Sequence, residues 1–132
     1  MSDQSRVFWG QHIVIDLAGC PRERLTDANH IASWSAEVIL AIDMRAYGEP
    51  ILEHFADHNV AVAGYTLVQL IETSALSAHF AENRGEVYID LFSCKRFAEE
   101  IVLDISKRYF EPSGVTVRSL IRGPLREVAD QG

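Results

Sequence analysis

Apolar and polar positions alternate first between Gln11 and Leu17, where Ile13, Ile15 and Leu17 interleave with His12, Val14 and Asp16. A period of two predicts a strand. Gly19-Cys20-Pro21 breaks it. Asp27 or Asn29 is then placed to cap a helix, and Ile31, Trp34, Val38, Ile39 and Ile42 form one apolar stripe at helical spacing. Tyr47-Gly48-Glu49-Pro50 stops the helix, and Ile51–Phe55 reads as a short helix of its own.

The pattern then becomes β-rich. Residues 60–71 hold Val, Leu, Tyr and Thr without proline and predict a strand, or a strand with a bulge near Gly64. Ala75–Phe80 predicts the next strand, and Asn83-Arg84-Gly85 a turn. Val87, Ile89 and Leu91 alternate with Tyr88, Asp90 and Phe92, which reads as a strand buried on both faces. Phe97, Ile101, Ile105 and Tyr109, each four apart, mark a second amphipathic helix. Pro112-Ser113-Gly114 turns the chain into a last strand, Val115–Ile121. Three strands joined by short turns imply antiparallel pairing. The expected fold class is α+β, an antiparallel sheet with helices packed on one face.

A length of 132 residues suits one domain, expected to span 1–132. A hydrophobic fraction of 48% is enough for a core. The formal charge of -7 argues against nucleic acid and anionic membrane as partners. Met1–Arg6 is polar with no long apolar run behind it, so neither a secretory signal nor a membrane span is expected. With only Cys20 and Cys94, a reduced cytoplasmic chain is the natural reading. His54 and His58 are spaced to share a metal on a helix, but no further ligand pattern follows, so no metal is expected.

Chemistry concentrates between Thr66 and Cys94, where Thr66, Thr73, Ser74, Ser77, His79 and Cys94 lie on or between strands. Hydroxyl, imidazole and thiol groups are the raw material of nucleophilic and acid–base catalysis. The same residue types also serve ordinary structural hydrogen bonding.

The stretch GYTLVQLIETSALSAHFAENRGEVYIDLFSC, Gly64 to Cys94, resembles the core of bacterial S-adenosylmethionine decarboxylases. GQHIVIDLAGC, Gly10 to Cys20, resembles the opening strand of that family, and Ile121-Arg122-Gly123 its closing segment. The resemblance implies an S-adenosylmethionine decarboxylase-like α/β sandwich and sets Ser74 on the processing serine, with His79 five and Cys94 twenty residues later. It further implies self-cleavage at Thr73–Ser74 into a β chain, 1–73, and an α chain, 74–132, that begins with a pyruvoyl cofactor formed from Ser74. His79 would take the Ser74 α-proton, Thr66 would stabilise processing, and Cys94 would reprotonate the substrate carbon. The pyruvoyl would bind the substrate amine as a Schiff base and act as electron sink. The family's small members pair, so a homo-oligomer, at least a dimer of cleaved protomers, is expected.

The chain departs from this pattern around the site. Thr73 and Ala75 replace Glu and His, Phe80-Ala81-Glu82-Asn83 replaces Thr-Trp-Pro-Glu, and Val60 replaces the Phe that helps hold adenine. AYGEP (46–50) and LVQLIETS (67–74) look like a divergent arginine or ornithine decarboxylase branch. A small-molecule substrate of the L-arginine or L-ornithine kind is therefore expected, with Glu49, Glu53, Asp57, Glu72 and Glu82 as candidate carboxylates for a distal cation. Two alternatives stand beside it: a decarboxylase of S-adenosylmethionine that makes the aminopropyl donor for spermidine, and an unprocessed, non-catalytic homologue that binds a partner. Either catalytic reading belongs to polyamine synthesis.

Overall fold

The computed structural model describes residues 8–124. Its elements are β1 (Gly10–Ala18), α1 (Ala28–Ala41), β2 (Ile51–Phe55), β3 (Gly64–Ile71), β4 (Ser74–Ala81), β5 (Glu86–Ser93), α2 (Glu99–Phe110) and β6 (Gly114–Arg122). A short 3-10 turn at Arg22–Arg24 leads into α1. The strands form one sheet in the order β2-β3-β4-β5-β1-β6, and every pair is antiparallel.

Asp27 caps α1 by accepting from the backbone N–H groups of Asn29 (3.0 Å) and His30 (3.2 Å), which meets two of the helix's orphan donors. Ile31, Trp34, Val38 and Ile39 of α1, and Val102, Ile105 and Phe110 of α2, turn inward onto Ile13, Ile15 and Leu17 of β1 and Leu76, Ala78 and Phe80 of β4. Phe80 sits edge-on to both Trp34 and Phe110, and the Trp34 indole N–H donates to Ser106 Oγ at 3.0 Å. Both helices thus cover one face of the sheet, as the hydrophobic pattern implied.

Four expectations change. Ile51–Phe55 is an edge strand, not a helix, since its main chain pairs with β3 from Ile51↔Val68 to Phe55↔Gly64. The following strand starts at Gly64 rather than Val60, and the bulge is replaced by a close approach: a Cβ on Gly64 would lie 1.7 Å from the Phe80 carbonyl oxygen. β5 is buried on one face only, because no helix covers the side that carries Tyr88, Asp90 and Phe92. In α2 the inward residues are Val102, Ile105, Ser106 and Phe110, whereas Ile101 is exposed. A strict four-residue step drifts about 40° around the helix each time, so Phe97, Ile101, Ile105 and Tyr109 cannot share one face.

The uncovered face is built of cross-strand rows. Glu53, Thr66, His79, Tyr88, Asp16 and Thr116 are successive partners in one; Leu70, Ala75, Phe92, His12 and Leu120 form another. Ile51, Phe55, Leu70 and Leu120 stand at least half exposed there. Among the described residues no helix is long and apolar enough to cross a membrane. The polar stretch Met1–Arg6 lies outside the described residues.

Candidate active site

Glu72 and Thr73 form the two-residue turn between β3 and β4, closed by the pair Ile71↔Ser74. Thr73 has φ 66°, in the left-handed region that a β-branched residue strongly disfavours. Its side-chain hydroxyl donates to the Glu72 carbonyl. Its own carbonyl accepts the backbone N–H of Cys94 at 3.3 Å. Ser74, next in the chain, donates from Oγ to Ser93 Oγ at 2.6 Å and lies 3.8 Å from Met44 Sδ. Ser93 is fully buried and also accepts the Lys95 N–H at 2.9 Å. A polar cleft of about 440 Å³ opens beside this turn, lined by Asp43, Met44, Arg45, Glu72, Thr73 and Lys95. The Lys95 ammonium reaches the Asp43 carbonyl at 2.6 Å, which fixes a cation at the cleft wall.

The turn, Ser74 and Cys94 therefore meet, while Thr66 and His79 lie elsewhere. They are direct cross-strand partners on the uncovered face, with Thr66 Oγ1 3.2 Å from His79 Nδ1. His79 lies five positions along the strand from Ser74, about 16 Å at the usual rise. Val60, exposed in the connection between β2 and β3, sits at this far end, where its carbonyl accepts from the Asn83 side chain.

The candidate carboxylates sort by their partners. Glu82 is 8% exposed and is engaged by Arg22 (3.1 Å) and His54 Nε2 (2.9 Å). Asp57 binds His54 Nδ1. The hydrogen bond to Glu82, with a further contribution from Asp57, holds His54 protonated above its ordinary pKa. His54 thus lies on a strand between two carboxylates rather than on a metal-binding helix. Glu49 lines a separate apolar cleft between α1 and residues 44–50. Glu72 lines the polar cleft, and Glu53 is exposed beside Thr66 with no side-chain partner among the described residues. Burial pushes the Cys20 thiol up to about 11, so it stays protonated at neutral pH, and both cysteines are free.

Ser93 was not singled out by the sequence. Alternation in β5 already places it on the buried face, but only the β4–β5 register sets it opposite Ser74. Arg45 and Lys95 are ordinary surface cations until the hairpin turn folds between them.

Residues 11–123 match the family model described as S-adenosylmethionine decarboxylase. Among curated proteins, the S-adenosylmethionine decarboxylase proenzyme of Clostridium botulinum (strain Langeland) is 23% identical over 119 residues, covering 89% of this chain and 97% of that one. The protein of the same description from Methanococcus maripaludis is 25% identical over 115 residues, covering 86% and 89%. Among solved structures, the adenosylmethionine decarboxylase of Aquifex aeolicus VF5 superposes with a TM-score of 0.76 at 18% identity, covering 91% of this chain and 95% of that one, which establishes a shared fold. The match to the family model over nearly the whole chain makes the assignment: this protein belongs to the S-adenosylmethionine decarboxylase family of pyruvoyl-dependent decarboxylases.

Proposed function

We propose that the single domain cleaves itself at Thr73–Ser74 and, as chains 1–73 and 74–132, decarboxylates a cationic amino acid in polyamine synthesis. The carrying observation is the conjunction at one turn. A strained residue presents its carbonyl, an N–H polarises that carbonyl, and the next residue offers a held hydroxyl. Ser74 Oγ attacks the Thr73 carbonyl carbon, the C–N bond breaks, and the hydroxyl proton passes to the freed nitrogen. Loss of the Ser74 α-proton then expels the ester oxygen with the Thr73 carboxylate. Water replaces the nitrogen, released as ammonia, to leave the pyruvoyl group. These residues fit that group: it would start the α chain at β4, beside the cleft of Lys95 and Arg45. Once formed, its carbonyl supplies the electron sink for a departing carboxylate. Cys94, next to the same turn, is the acid that returns a proton to the substrate carbon.

Thr66 and His79 take part across a two-fold axis. A symmetric pairing through the uncovered sheet face brings the far end of one sheet to the turn of the other, so that the partner's His79 serves Ser74. The half-exposed Ile51, Phe55, Leu70 and Leu120 supply the apolar contact. Co-expressing the Ser74→Ala and His79→Ala variants tests this. Cleavage of the His79→Ala chain, restored by the intact His79 of its neighbour, is expected; two chains that both stay whole would refute the shared site.

For substrate, L-arginine or L-ornithine is favoured over S-adenosylmethionine. Val60 offers no aromatic face, and Phe80 is locked in the core. Glu53, unpaired beside Thr66 and His79, is the carboxylate best placed for a distal cation. Carbon dioxide release from arginine, ornithine, lysine and S-adenosylmethionine decides it, and release from S-adenosylmethionine alone would restore that substrate. The two free thiols suit the reducing cytoplasm.

A further inference from the structure

We infer that Ser93 is the positioning residue for self-cleavage: its buried hydroxyl aims Ser74 Oγ at the Thr73 carbonyl. The inference rests on the self-cleavage reading above and adds a residue to it. Ser93 and Ser74 are direct partners in the β4–β5 ladder, so their side chains rise from the same face of neighbouring strands. Their oxygens are 2.6 Å apart, and Ser93 is wholly buried whereas Ser74 is half-buried. A serine hydroxyl at a strand end ordinarily hydrogen-bonds to its own backbone or to water. Ser93 does bind locally, accepting the Lys95 N–H at 2.9 Å, and that second bond fixes its rotamer.

The geometry of these contacts defines the role. Ser93 Oγ is tied at once to the Lys95 N–H and to Ser74 Oγ, so the nucleophile is held on a hydroxyl that is itself anchored. A neutral hydroxyl is a poor proton acceptor, so its part is placement rather than general-base catalysis. The 2.6 Å contact restricts the rotamer of Ser74 Oγ, whose attack is on the adjacent carbonyl carbon. The same strand end supplies the Cys94 N–H to the oxygen of that carbonyl at 3.3 Å. Ser93 and Cys94 thus grip nucleophile and electrophile from consecutive residues, and their relative placement is set by one stretch of backbone. Bound orientation of this kind is worth orders of magnitude in rate, because a misplacement of about 1 Å costs about 100-fold.

The role also has a defined end. In the acyl shift the Oγ–C bond forms, the Thr73–Ser74 C–N bond breaks, and the proton moves to nitrogen. In the following elimination Oγ leaves with the Thr73 carboxylate. Residue 74 then has no hydroxyl left for Ser93 to hold, so the effect of Ser93 is confined to the first chemical step.

The experiment follows cleavage of the full-length chain after rapid refolding, by denaturing gel and intact mass, for wild type, Ser93→Ala, Ser93→Thr and His79→Ala, with and without hydroxylamine. Hydroxylamine cuts an accumulated ester but not an amide. Ser93→Ala is expected to cleave about 10- to 100-fold more slowly than wild type, with hydroxylamine giving no acceleration, because the ester is not reached. His79→Ala is expected to be cut promptly by hydroxylamine. Ser93→Thr, which returns the hydroxyl, should recover most of the rate. Wild-type cleavage by Ser93→Ala would overturn the inference. So would hydroxylamine-sensitive accumulation in that variant, or a Ser93→Thr variant as slow as Ser93→Ala at an unchanged melting temperature. An intact wild-type chain would refute the self-cleavage reading itself, and is thereby told apart from failure of Ser93 alone.

Discussion

Replacing Thr73 by Gly removes the backbone strain at the bond to be cut. Thr73 holds φ 66° without the freedom of a glycine. A non-glycine residue kept in such a region costs about 1–3 kcal/mol. If that strain is released as the carbonyl carbon becomes tetrahedral, losing it raises the cleavage barrier by as much, a slowing of about 5- to 150-fold. Cleavage happens within the folded chain, so the entropy that glycine adds to the unfolded state does not enter this rate. It does enter stability. Subtracting about 0.5–1 kcal/mol for that entropy leaves a net gain of about 0–2.5 kcal/mol for the uncleaved protein. The stability is measured by urea unfolding in a Ser74→Ala background, where the chain stays whole, and the rate by quantitative gel after refolding. Thr73→Ser is the control, since it keeps both the positive φ and the hydroxyl that donates to the Glu72 carbonyl. A Thr73→Gly chain that cleaves as fast as wild type, or that is less stable than its parent in the Ser74→Ala background, would refute strain as a driving term.

Cys94→Ala keeps the backbone N–H on the Thr73 carbonyl, so cleavage should continue while carbon dioxide release falls about 100-fold or more, and full turnover would remove the thiol from the mechanism. Ser106→Ala leaves the buried Trp34 indole N–H without its acceptor and should destabilise the Ser74→Ala chain by about 1–3 kcal/mol in urea; no change would mean water reaches that site. His54 has its pKa raised by Glu82 first and Asp57 second, so its stabilising contribution is complete below its unfolded value near 6.5. That contribution is lost as pH rises through the folded value. Melting temperature should therefore decline above neutrality in the parent and less so in His54→Gln, and identical profiles would exclude this pair. Glu53→Gln should raise KM for a cationic substrate more than it lowers kcat, and equal kinetics would exclude Glu53 from recognition.

The linear sequence determined the pieces whose signal is local. The period-two run at Ile13, Ile15 and Leu17 is β1, the stripe from Ile31 to Ile39 is the buried face of α1, and Asp27 is its cap. The register Ser74, His79, Cys94 pointed to the family that the comparisons establish. Local signals failed where pairing, not pattern, decides. Residues 51–55 have too few positions to show a period and become a strand only because β3 offers its edge. The covering of one sheet face alone left Tyr88 and Asp90 in the open; the aromatic Tyr88 and Phe92 on either side of Asp90 hid that polar row in the linear pattern. The candidate site divides in the same way. Thr73, Ser74 and Cys94 converge because the β3–β4 turn lies against the end of β5, whereas Thr66 and His79 are carried to the other end of the sheet. Hydrogen-bond register is a property of two strands at once, so no single stretch of sequence contains the Ser74–Ser93 contact; the tertiary fold alone brings those two oxygens together.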